Sequence, residues 1–137
     1  IDVERIVPNG IVCLFNAWAY HQLSTVVPPS ICVAIDAKRK VVIPSTVPIE
    51  IYYWKKENLE FGITDAEISG FKVRITDLER SVCDAVKYRN KIGLDTTAEI
   101  IRNYLKKDKR NLSRLSEYAK RLRVANTLKN YLMIAIE

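Results

Sequence analysis

Apolar residues change their spacing once along this chain, near residue 76. Before that point they come in short runs rich in Val, Ile, Tyr and Phe, and after it they recur every three or four residues. The first segment, "NGIVCLFNAWAYHQLS", puts Ile11, Leu14, Phe15, Trp18 and Gln22 near one helical stripe, and "VVPPS" ends it because paired prolines cannot continue a helix. "ICVAID", "KVVIP", "IEIYYW" and "FKVRIT" then read as strands separated by charged or Pro/Gly-containing turns. Their connections are too short for crossover helices, which predicts mainly antiparallel pairing.

Beyond Thr76 the pattern predicts helices. "TDLE" offers Thr76 as an N-cap with Glu79 three residues on, and Asp77 suits the positive end of the helix dipole. A helix from about Asp95 to Lys107 carries Ala98, Ile101, Tyr104 and Leu105 on one stripe. Another starts near Asn111 with Leu112, Leu115, Tyr118, Ala119 and Leu122, and a last one carries Val124, Leu128, Tyr131, Leu132 and Ala135. The expected fold class is α+β in one domain over residues 1–137: a small, mostly antiparallel sheet with an N-terminal helix, followed by about four C-terminal helices packed on or beside it.

Composition changes this picture in two places. The 137 residues carry a net charge of +6, but residues 1–71 balance at −2 and residues 72–137 at +8, so the basic surplus belongs to the helical half. Such a surplus can steer a protein toward nucleic acid or an acidic partner. Cys13, Cys32 and Cys83 lack metal-type spacing and sit among apolar neighbours, as buried hydrophobes of a reducing compartment do. No apolar run reaches the roughly 20 residues of a membrane span, so no membrane partner and a cytoplasmic location are expected. The chain opens on isoleucine, which leads to the expectation that it was trimmed from a longer protein.

Phase analysis of the first C-terminal helix places Leu78, Val82, Ala85 and Val86 on one stripe, with Arg89 in the middle of it. Arg80, Lys87 and Lys91 fall together on another side, as a solvent face. Arg89 is therefore expected to be buried and bonded to carboxylates or helix-end carbonyls, Gly93 to break the helix, and Asp95 to cap the next one. Arg80, Lys87, Lys91, Arg102, Lys106 and Lys107 are the candidate contacts for a partner or nucleic acid.

Enzymatic signatures are sparse. His21 and Cys13 would form a nucleophilic pair only if both faced a cleft, and a histidine bonded to backbone is the simpler expectation. "IDAKRK" places Asp36 and Lys38 as metal-dependent nucleases place an acid and a lysine, yet no clear second acid lies in a preceding strand, and a charged hairpin turn fits better. There is no glycine-rich phosphate loop or dinucleotide fingerprint, so no cofactor and no catalytic residue is assigned. Leu112 to Leu132 imitates the spacing of a helix-turn-helix. However, Arg123 stands where the turn usually has glycine, and "ANTLKNYLMIAIE" offers one cation to a groove.

Taken in order, "PNGIVCLFNAWAYHQLST", "ICVAIDAKRK", "LEFGI", "GFKVRITDLERSVCDAVKYRNKIGLD" and "YAKRLRVANTLKNYL" resemble the AbiEi family, antitoxins of bacterial abortive-infection systems that act in phage defence. The resemblance spans roughly residues 8 to 135 and is most specific in "VRITDLERSVCDAVKYRNKIGLD". It implies a non-enzymatic antitoxin and transcriptional regulator of type IV, whose partner is a nucleotidyltransferase-like toxin or that toxin's target. It also implies an operator-binding winged helix in an N-terminal module that these residues do not include. The alternatives are a stand-alone nucleic-acid-binding module and a metal-dependent nuclease-like domain using Asp36 and Lys38.

Overall fold

The computed structural model describes residues 1–135. A five-stranded mixed sheet is built from β1 (Ile11–Val12), β2 (Ile31–Asp36), β3 (Ile49–Trp54), β4 (Ile63–Ile68) and β5 (Phe71–Thr76), in the order β3-β2-β1-β5-β4. The helices are α1 (Val3–Ile6), α2 (Phe15–Tyr20), α3 (Leu78–Lys87), α4 (Arg89–Ile92), α5 (Leu94–Leu105), α6 (Leu112–Arg121) and α7 (Ala125–Ala135), with a 3-10 turn at Lys56–Leu59. The α+β class and the position of the sheet in the first half match the sequence pattern.

Two of the four strand pairings depart from it. β1–β2 and β4–β5 are antiparallel, but β1–β5 and β2–β3 are parallel, with Ile31 opposite Ile49 and Asp36 opposite Trp54. No helix is needed for the β2–β3 return. Twelve extended residues reach about 40 Å, twice the length of a six-residue strand. Residues 37–48 make that return, and "KVVIP", expected as a strand, pairs with nothing. It still alternates, with Val41 and Ile43 packed on the sheet and Val42 in solvent.

Alternation along the strands separates two cores. Ile11, Cys32, Ala34 and Trp54 face α3, α5, α6 and α7, while Val12, Val33, Ile35, Val73 and Ile75 face α1 and the 37–48 segment. The first predicted helix is also shorter than its pattern. Ile11 and Val12 are drawn into the sheet, and α2 starts after Leu14, whose φ of 51° turns the chain sharply. Cys13, Cys32 and Cys83 are free and buried.

α3 is the central helix, in contact with α2, α4, α5, α6 and α7. Residues 79 to 86 are all buried, the polar ones included. No helix among the described residues is long and apolar enough to cross a membrane.

Candidate functional site

A knot of buried polar groups gathers around the start of α3. The N-cap is Asp77 rather than Thr76, because Thr76 still belongs to β5 and its hydroxyl meets that of Ser81 at 2.9 Å. Asp77 Oδ1 accepts the amide of Arg80 at 2.8 Å, and its Oδ2 accepts the Tyr118 hydroxyl at 2.9 Å. Burial, reinforced by that bond, holds the Tyr118 phenol up at about 12. Glu79 does not close a capping box. Its Oε2 accepts the Tyr104 hydroxyl at 2.8 Å and the amide of Asn111 at 3.0 Å, joining α3 to both ends of the α5–α6 loop.

Arg80 is the largest departure from expectation. It is 1 % exposed rather than part of a solvent face, so it is removed from the candidate contacts. Nε donates to Asp84 Oδ1 at 3.0 Å, and Nη1 donates to the carbonyls of Asn58 at 2.6 Å and Phe61 at 3.0 Å. The guanidinium lies over Trp54 and Phe61, 4.7 and 4.5 Å from their ring centroids. A planar fork with five donors can join a carboxylate, two carbonyls and two rings at once. Burial raises the Asp84 carboxyl above the usual aspartate range and Arg80 opposes that rise, while Asp84 Oδ2 has no hydrogen-bond partner.

The junction after α3 is close to its expected form and differs in detail. Arg89 is half-buried and its Nη1 donates to the carbonyl of Val86 at 2.9 Å, closing the end of α3 without any carboxylate. Gly93, at φ 96°, stops α4 and starts α5. Asp95 is not the cap, since the helix has begun by Leu94. Its charge favours the first turn, and Thr97 Oγ1 bonds back to the Gly93 carbonyl at 2.9 Å.

The remaining candidate contacts do not form one patch. Lys91 leaves the helical surface for the sheet edge, donating to the Tyr52 hydroxyl at 2.7 Å beside Glu50. Tyr52 in turn donates a very short bond to Glu50. Arg102 and Lys106 are exposed on α5 and just beyond it, with Lys107 half-buried next to them. Lys87 instead lines a recess of about 340 Å³ between β3 and the α6–α7 turn, together with Lys55, Arg121 and Arg123. Periodicity could not find that group, because its members come from three separate elements. The one signal was Arg123 at a turn position suited to glycine, and its φ is 61°.

The other chemical candidates resolve into structure. His21 Nε2 donates to the Thr76 carbonyl at 2.8 Å, and burial lowers its pKa. Burial raises the Cys13 thiol, and no hydrogen bond joins it to His21. Asp36 accepts the amide of Lys38 at 2.9 Å, forming a turn, and no cluster of metal-ligating side chains occurs among the described residues. α6 and α7 bury Leu115, Ala119 and Leu128 against the core, as packing helices do. No family model matches the sequence, and no curated protein matches it.

Proposed function

We propose that this chain is the antitoxin and regulatory domain of an AbiEi-type abortive-infection system, acting in the bacterial cytoplasm without catalysis of its own. Its counterpart is a nucleotidyltransferase-like toxin or that toxin's target. Operator DNA is engaged through an N-terminal winged helix of the full-length protein.

One observation carries the reading. In "VRITDLERSVCDAVKYRNKIGLD", the stretch that most resembles the family, Asp77, Glu79, Arg80 and Asp84 are all engaged inside the molecule. Charges committed to holding helices together have a structural task, which supports a binding domain over an enzyme built on this motif. A nucleotidyltransferase-like toxin gene is expected beside this one, and the test is co-expression with that toxin. Growth should be restored by the full-length protein. A soluble, full-length antitoxin that restores no growth refutes the proposal.

A further inference from the structure

The recess beside Lys87 has its own chemistry. Its wall carries four cations, Lys55, Lys87, Arg121 and Arg123, against one carboxylate, Glu57. None of the four forms an ion pair among the described residues. Solvated charges on a convex face repel one another at little cost. Gathering four around a concavity raises the local potential and concentrates anions there.

One of the four is held in place by its guanidinium, and another stands at a strained turn. The Arg121 guanidinium rests over the Phe61 ring at 4.1 Å, and Arg123 sits at a left-handed backbone angle that a side chain adopts at a cost. Tyr88, half-buried, supplies an aromatic edge, and its hydroxyl accepts a 2.8 Å bond from the indole nitrogen of Trp54, which is itself 3 % exposed. A volume of about 340 Å³ lies at the lower end of small-molecule sites.

We infer that this recess binds a nucleoside 5′-triphosphate group, with Lys55, Lys87, Arg121 and Arg123 around the phosphates and the Tyr88 ring beside the base. The net charge of the lining opposes that of a triphosphate, and the Tyr88 ring favours a planar group over inorganic phosphate. Free nucleotides and the 5′ end of an unprocessed RNA carry the same chemistry. The inference is independent of the antitoxin proposal.

Calorimetric titration of the whole chain with ATP, inorganic triphosphate and two ten-nucleotide RNAs, one 5′-triphosphorylated and one 5′-hydroxyl, tests it at low salt. ATP should saturate and should bind about tenfold more tightly than inorganic triphosphate. The double variant Lys55→Ala/Arg123→Gly should weaken ATP by about tenfold or more. Both positions are exposed and glycine suits the backbone at 123, so the fold is expected to survive, which circular dichroism checks. Triphosphorylated RNA binding tighter than ATP assigns a strand end, and the reverse order assigns a free nucleotide. Absence of saturation by ATP up to about 5 mM overturns the inference, as does equal binding of ATP and inorganic triphosphate or unchanged binding by a folded double variant.

Discussion

Gly62 lies so close to Arg80 that a methyl group on its Cα would stand 2.6 Å from the arginine Cβ. The same residue has a φ of 67° and offers its carbonyl to the amide of Asp77 at 2.8 Å. Gly62→Ala therefore meets steric overlap and a left-handed backbone penalty together. A loss of about 3 kcal/mol is expected, read from urea unfolding. A change below about 0.5 kcal/mol would mean that β4 and α3 are not locked here.

Replacing Arg80 reaches the same knot from its charged side. Arg80→Met strands Asp84 in the core and leaves the carbonyls of Asn58 and Phe61 without their donor. The expected cost is about 3–5 kcal/mol. Arg80→Lys should recover little of it, because an ammonium lacks the fork that spans those partners. Equal stability of the Lys variant and the parent would contradict the geometry.

Tyr104→Phe removes one hydroxyl and should cost about 1–3 kcal/mol, since buried Glu79 then loses its closest donor. Hydrogen exchange at the α5–α6 loop should accelerate more than exchange in the sheet. Uniform acceleration would place the effect elsewhere.

His21 gives the fold a pH dependence of definite sign. Burial lowers its folded pKa below the ordinary 6.5, so the unfolded chain takes up a proton first as the solution is acidified. Its contribution is fully present above pH 6.5 and is lost as the pH falls from there through the lowered folded value. His21→Gln should flatten this part of the stability profile. An unchanged profile in the variant would assign the slope to another group.

Arg123→Gly should raise stability by about 1 kcal/mol, because glycine adopts a φ of 61° without the strain of a side chain. The same change should weaken ATP binding. Tm and titration measured on one sample check both signs.

Much of the helical half was legible in the sequence. Tyr104, Leu115, Ala119 and Leu128 fall on predicted stripes and are buried, and Gly93 ends a helix where its backbone freedom allows. The sheet was harder to read. Composition marks β2 and β3 as strands, but nothing in "IEIYYW" states which partner it meets or in which direction. The 37–48 segment is long enough to return the chain in parallel. Ile11 fits the helical stripe of its segment, and still it and Val12 pair with β2 and β5, since tertiary hydrogen bonding overrides a local helical preference.

The sequence by itself determined which residues are apolar, that the chain turns helical after β5, and that the charge surplus lies after residue 71. The tertiary structure decided which polar faces meet water. Helical phase places Arg80 opposite the apolar stripe, and a lone amphipathic helix would leave it in solvent. α3 is covered on its polar side as well, and so Arg80 becomes the buried, paired arginine that Arg89 was expected to be. The recess is decided in the same way. Lys55, Lys87 and Arg123 are far apart in sequence and unremarkable one by one, and their shared potential exists because folding brings their charges around one concavity.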